Sequence, residues 1–326
     1  MIDIPDALIA TQSKYNGAAG RAFLAALPGM AAEFLERWGL RRDGEALYGV
    51  CALVLPVVRV ADGRPAALKL QAVDAETVGE PLALRVWGAA SAGAASGAAV
   101  ELLDHDPATG TMLLERLDGL RPLSGVPDVR DAVRVVADLL AVLTAVRAPV
   151  GTVEPVAPVR APVDSPGSGL RGLGEVAARA LAAAPGAVGL LADEEERRLL
   201  ADCAAAVREV VGEQGDRLLH WDLHFGNVLA ARGGPAGQAA RWVAIDPKPL
   251  AGDPGFELLP ALADRFDADT VRWRFDLLTS TLGLDRGRAR AWTLGRVLQN
   301  ACWGAEDGAR RLAPEQAEIA RRLLGR

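Results

Sequence analysis

The run "HWDLHFGN", His220 to Asn227, packs two of the chain's three histidines, an aspartate and an asparagine into eight residues. Two chemistries want such a run. If it were extended, His220, Asp222 and His224 would share one face and could ligate zinc or iron. Alternatively, Asp222 could accept the proton of an attacking hydroxyl while Asn227, five residues on, offers an amide oxygen to Mg²⁺. The metal cage lacks parts: the remaining histidine, His105, lies in a distant turn, and no cysteine cluster supplies further ligands. Phosphate chemistry finds its parts. Asp246 ends the apolar strand "WVAI" and adds a carboxylate for the metal. Lys69, in "AALKL", is the one lysine within an upstream strand, where an ammonium is costly unless paired; it is the natural phosphate partner.

Working outward, the flanks alternate between two periods. Residues 16–38 carry helical spacing and are expected as two short helices broken at Pro28. From Leu47 to Leu70 β-branched runs flank Asp62-Gly63, a hairpin signal. Residues 74–88 read as a helix, and "AASAGAASGAA" as a flexible loop. A second hairpin, "AVELLDHD" and "TMLLERL" around "PATG", follows. An amphipathic helix over 129–147 and a Pro/Gly-rich connection over 149–174 come next, then two more helices. "NVLAA" and "RWVAID" bracket a loop after the opening run, and from Asp267 onward the pattern is helical. The expected class is α+β: residues 1–117 as a small antiparallel-sheet lobe, and 118–326 as a mainly helical lobe carrying the His220–Asn227 loop.

Composition limits the partners. At 326 residues the chain exceeds one ordinary core. A net charge of -6 argues against nucleic acid and suits a cationic small molecule. Cys51, Cys203 and Cys302 have no paired spacing, the N-terminus lacks a basic leader, and no apolar run of membrane-spanning length is read. These features lead to the expectation of a cytoplasmic monomer with no membrane partner.

The motifs "LLHWDLHFGNVLAA", "WVAIDPKPLAGDPGFELLPAL", "LLDHD" with "TMLLERLDG", and "RFDLLT…LDRGRARAWTLGRVLQN" together resemble the aminoglycoside phosphotransferases of the protein-kinase-like fold. Within that group they are most similar to the streptomycin 6-phosphotransferase and hydroxyurea phosphotransferase family, from about residue 5 to about 320. Trp221, where many relatives have Gly, and Asp-Pro-Lys at 246–248 narrow the resemblance. It implies a two-lobed enzyme using ATP, or GTP, with Mg²⁺ to phosphorylate a hydroxyl of a cationic antibiotic, streptomycin first. It implies Asp222 as base, Asn227 and Asp246 on Mg²⁺, Lys69 on the α- and β-phosphates, and Glu115 to Leu117 as a hinge facing adenine. A helix glutamate should pair with Lys69; Glu80 is preferred to Glu76. No complete G-x-G-x-x-G loop is present, so the phosphate lid is not placed. For the two guanidinium groups of streptomycin, Asp253, Glu257, Glu306 and Asp307 are the candidate carboxylates. Asp253 could instead cap the next helix. Trp221 could line the acceptor pocket or pack the loop.

Overall fold

The computed structural model describes residues 4–49, 51–91, 97–149, 170–233 and 240–326. Two compact units emerge. Among the described residues, the first gathers the chain up to Arg121 together with Leu229–Ile245; the second takes Pro122 onward to Val228, then Asp246–Arg326. The elements of the first unit begin with α1 (Asp6–Arg37), β1 (Leu40–Arg42), β2 (Leu47–Tyr48), β3 (Ala52–Arg59) and β4 (Pro65–Gln71). They continue with α2 (Glu80–Ala90), β5 (Leu102–Asp106), β6 (Thr111–Glu115) and β7 (Asp118–Pro122). The second unit then runs through α3 (Val129–Leu143), β8 (Arg171–Gly172), α4 (Leu173–Leu190), α5 (Glu194–Val210) and β9 (Arg217–Leu219). After β10 (Val228–Ala230) and β11 (Trp242–Ala244) come β12 (Leu250–Gly252), α6 (Leu258–Ala263), α7 (Val271–Thr281), α8 (Arg286–Glu306) and α9 (Pro314–Leu324).

The first unit is built on an antiparallel sheet in the order β1-β3-β4-β6-β5, with β2 also on β3. The β3–β4 hairpin closes at Asp62-Gly63, where Asp62 accepts the Arg64 N–H and Gly63 takes φ 70°. Pro56 sits inside β3 without breaking it. On that side of β3, β2 pairs with residues 53–54 and β1 with 57–59, so Pro56 falls in the gap where no strand asks for its missing N–H. Ala66, Leu68 and Leu70 of β4 join Leu53, Leu55 and Val57 in a core covered by Leu24, Leu27, Ala31 and Phe34 of α1. Side chains alternate along a strand, so Lys69 and Gln71 face the other way.

Three expectations change here. The break in the first helical region is at Gly17 (φ 52°), not at Pro28, which lies inside a helix. The apolar stripe through Leu24, Leu27, Ala31 and Phe34 packs on both sides of Pro28, so burial outweighs the lost hydrogen bond. The helix expected over 74–88 starts only at Glu80. Residues 74–79 are a turn instead, because the Asp74 carboxylate accepts the N–H groups of Glu76 and Thr77. The β10–β11 pair, expected in the helical lobe, forms a sheet with β7 and falls in the first unit but for the strand ends Pro122 and Val228. Most of "AASAGAASGAA", the long Pro/Gly-rich connection and the loop between β10 and β11 lie outside the described residues.

In the second unit α8 packs on both α4 and α5, burying Trp292, Leu294, Val297 and Leu298. By length and composition α4 could cross a membrane, although no such run is read from the sequence; its apolarity is largely alanine. Arg274 is fully buried; its guanidinium donates to the carbonyls of Ala261, Asp264 and Arg265 and to the Thr270 hydroxyl. It thereby ties the end of α6 to α7. A short sheet, β8-β12-β9, pairs Leu219 with Leu250 and Leu218 with Ala251. That pairing brings the segment after Asp246 alongside the segment before Asp222.

Candidate active site

The His220–Asn227 loop leaves β9 through a left-handed residue. Trp221 has φ 66°, a conformation that glycine adopts freely and a bulky side chain does not. The Glu257 carboxylate holds it there, accepting the Trp221 N–H at 2.6 Å. Two guanidinium groups pack on the indole: that of Arg171 lies 4.0 Å from its ring centre and that of Arg296 4.7 Å, with the Trp303 ring at 5.9 Å. Farther along, Phe225 N–H donates to Asp264 at 2.6 Å, and His224 Nδ1 accepts the Gly226 N–H at 3.0 Å. Both histidines therefore serve the loop: His220 is wholly buried and its carbonyl accepts the Lys248 N–H at 3.0 Å. Among the described residues no three His, Cys, Asp or Glu side chains form a metal cage.

The loop presents Asp222. Asn227 Nδ2 donates to the Asp222 carbonyl at 2.9 Å and approaches its Oδ2 at 3.4 Å, which directs the asparagine's amide oxygen the other way. Burial pushes the Asp222 carboxyl upward in pKa, reinforced by the neighbouring Asp246 and opposed by His224, Lys248 and Arg296. Asp246 adopts φ 57°, a left-handed turn that aspartate tolerates, and its Oδ1 lies 2.9 Å from Lys248 Nζ. Asn227 and Asp246 could hold Mg²⁺, since two hard oxygen donors leave room for phosphate and water. The ammonium on Asp246 shows that this carboxylate already accepts a cation.

In the first unit Lys69 is 4% exposed and donates to both oxygens of Glu80, at 2.7 and 2.8 Å. Gln71, on the same face of β4, donates to Glu80 Oε2 at 2.8 Å. Glu80 begins α2 and is fully buried, whereas Glu76 belongs to the Asp74 turn. Glu115 spends its N–H on the Glu101 carbonyl and its carboxylate on Arg241 at 2.8 Å. Leu117, at the end of the expected hinge, is buried.

The acidic wall expected for the acceptor does not assemble. Asp253 caps the turn after β12, accepting the Gly255 N–H at 2.8 Å, and pairs with Arg288 Nε at 2.5 Å. Arg288 also donates to the Glu213 carbonyl and carboxylate. Arg288 and Glu306 stand at opposite ends of α8, about 27 Å apart at ~1.5 Å per residue, so Asp253 and Glu306 cannot line one wall. Glu257 is 1% exposed beneath the loop; burial pushes its pKa up to about 7 despite the Trp221 N–H and Arg296. Only Glu306 and Asp307, exposed at the end of α8, stay available to solvent.

Comparison with known proteins fits this geometry. A family model described as aminoglycoside/hydroxyurea antibiotic resistance kinase matches residues 37–308. The chain belongs to that family. A hydroxyurea phosphotransferase of Kitasatospora aureofaciens is 58% identical, over all of this chain and 87% of its own. Streptomycin 6-kinases of Streptomyces glaucescens and Streptomyces griseus are 48% and 47% identical, over 98% and 97% of their lengths and 100% and 99% of this one. Among solved structures, the GDP complex of wild-type aminoglycoside 2'-phosphotransferase-IIIa superposes with a TM-score of 0.58 at 13% identity, covering 91% of this chain and 98% of that one. Spectinomycin phosphotransferase with ADP and spectinomycin gives 0.54 at 12%, with the same coverage. At these identities the likeness is one of fold, which is protein-kinase-like.

In this kinase the sequence reading misses three supports of the catalytic loop. Arg171 and Arg296 pack on Trp221 from 50 residues before it and 75 after, and Asp264 holds Phe225 from 39 residues away. Local sequence carries no signal for such partners. Lys248 is different: it stands two residues after Asp246 in a motif already singled out.

Proposed function

We propose that this chain transfers the γ-phosphoryl group of ATP to a hydroxyl of a streptomycin-type aminoglycoside, at the 6-hydroxyl of the streptidine ring, and so inactivates the drug. The observation that carries the reading is the Asp222–Asn227–Asp246 arrangement in a family whose members include streptomycin 6-kinases. In this reading Asp222 orients the attacking hydroxyl and takes its proton, while Lys69, held straight by Glu80, grips the α- and β-phosphates. Bound at Asn227 and Asp246, Mg²⁺ would neutralise phosphate charge. The chain itself contributes position and preorganised charge, since the loop is tied at Trp221, Phe225 and His220 before any ligand arrives. Glu306 and Asp307, at the negative end of the α8 dipole, are our candidates for receiving a guanidinium group. Three free thiols, two of them buried, suit the reducing cytoplasm, where ATP and drug meet. A monomer suffices for all these roles.

Hydroxyurea is the second acceptor, favoured by the 58% identity to a protein of that name. One assay separates the two. ADP release is followed with ATP or GTP and with streptomycin, other aminoglycosides or hydroxyurea, and the product is weighed by mass spectrometry. A gain of one phosphate on streptomycin is the expected result. ADP release with hydroxyurea alone, or with no acceptor at all, overturns the streptomycin assignment.

A further inference from the structure

Lys248 is a half-buried cation beside the groups assigned to catalysis. Its side chain is 14% exposed, its Nζ lies 2.9 Å from Asp246 Oδ1, and its N–H is fixed to the His220 carbonyl at 3.0 Å. Its charge also reaches Asp222, whose ionised form it favours. One ammonium therefore serves both the carboxylate assigned to the metal and the carboxylate assigned to the base. His224, the nearer basic side chain in sequence, has its Nδ1 engaged by Gly226.

We propose that Lys248 is a further catalytic residue, whose ammonium binds the γ-phosphoryl oxygens of the nucleotide during transfer. The inference rests on the phosphotransfer reading above. Were Asp246 to hold Mg²⁺, the Lys248 ammonium on the same carboxylate would be repelled from it. The ammonium must then move to another anion within reach of its stem. A γ-phosphoryl group beside the acceptor hydroxyl that Asp222 would orient is such an anion, and, unlike that of the Asp222 carboxylate, its need for a counter-charge grows as transfer proceeds. In the step itself the acceptor oxygen bonds to the γ-phosphorus as the bond to the β,γ-bridging oxygen breaks. ADP leaves with that electron pair, Asp222 takes the hydroxyl proton, and Lys248 keeps its own proton throughout. Its task is to offset charge on the equatorial oxygens, as a preorganised donor does for an oxyanion.

The test compares wild type with Lys248→Met and Lys248→Arg in the full chain, folding being checked by circular dichroism. Affinities for MgADP and for a non-hydrolysable MgATP analogue are measured by calorimetry, and kcat and KM by ADP release. Lys248→Met is expected to weaken the analogue about tenfold relative to MgADP and to lower kcat by about 10²-fold with acceptor KM unchanged, while Lys248→Arg recovers part of both. Equal losses for ADP and analogue, or unchanged kcat with tighter Mg²⁺ binding, would mean that Lys248 only occupies Asp246, and the proposal fails. If Lys248→Met does not fold, acetylation of Lys248 in wild type decides: the analogue must protect it better than MgADP does, and equal protection refutes the role. Wild type binding MgATP yet phosphorylating no acceptor would count against the phosphotransfer reading instead, and the analogue-to-ADP ratio would still judge Lys248.

Discussion

Replacing Glu257 by glutamine should remove a pH dependence from the stability of the second unit. Glu257 is fully buried and its pKa is pushed to about 7, against an ordinary 4.5, so the folded chain holds a proton there that the unfolded chain releases. Between pH 4.5 and about 7 the native state binds more protons than the unfolded state, so stability falls as pH rises. Below 4.5 both states are protonated and the contribution is complete; above 7 both are ionised and it is gone. At ~1.36 kcal/mol per tenfold step in acidity, the loss across the window is roughly 3 kcal/mol. For a domain of this size that corresponds to roughly 5–10 °C in Tm.

Glutamine keeps a carbonyl oxygen for the Trp221 N–H but brings no charge to bury. The amide that replaces Oε2 lies near Arg296 and costs something at every pH, so the absolute Tm is not the readout. The slope is. Thermal and urea unfolding of both proteins from pH 5 to 8 should show the wild type losing roughly 2.5 kcal/mol more than Glu257→Gln. Burial also raises the Asp222 pKa, so some slope remains in the variant; the difference between the two curves isolates Glu257. Parallel curves would show that Glu257 is hydrated and ionised at neutral pH, and the account of how the loop is held would fall with it.

Three further outcomes follow from the same contacts. Asp222→Asn should lower kcat by at least about 10³-fold while MgATP still raises Tm, measured by ADP release and thermal shift; full turnover would remove Asp222 from the base role. Glu80→Ala should cost roughly 3–5 kcal/mol and raise KM for ATP, because it strands the buried Lys69 ammonium, whereas Glu76→Ala should change KM little; equal effects would argue against the Lys69–Glu80 pair. Trp221→Gly relieves a left-handed backbone worth about 1 kcal/mol but empties the space beside Arg171 and Arg296, so a net loss of roughly 2–4 kcal/mol is expected in urea unfolding, and a stabilised variant would mean the indole contributes no packing.

What could be read ahead of the structure follows how far each signal travels along the chain. The β3–β4 hairpin and its lysine were legible because strand alternation and Asp62-Gly63 act over a few residues, and one charge in an apolar strand needs a partner wherever the fold puts it. The proximity of Asp222 and Asn227 was legible because they lie five residues apart, within one loop. The acidic residues after Asp246 were harder for the opposite reason: the capping role offered for Asp253 is the one the structure shows, whereas burial of Glu257 was not foreseen. Exposed and buried carboxylates look alike in sequence, and what separates them is a partner 35 or 36 residues distant: Arg288 for Asp253, the Trp221 N–H for Glu257. Tryptophan at 221 is the position where the local signal existed and was underused. By the resemblance drawn from the sequence many relatives have Gly there, and glycine in a turn asks for a left-handed backbone. A tryptophan accepting that conformation must be held by its surroundings, and here two guanidinium groups and a buried glutamate hold it. A demanding residue in a left-handed position thus points to packing beneath the loop, which Glu257 and Arg296 supply through their contacts with Trp221.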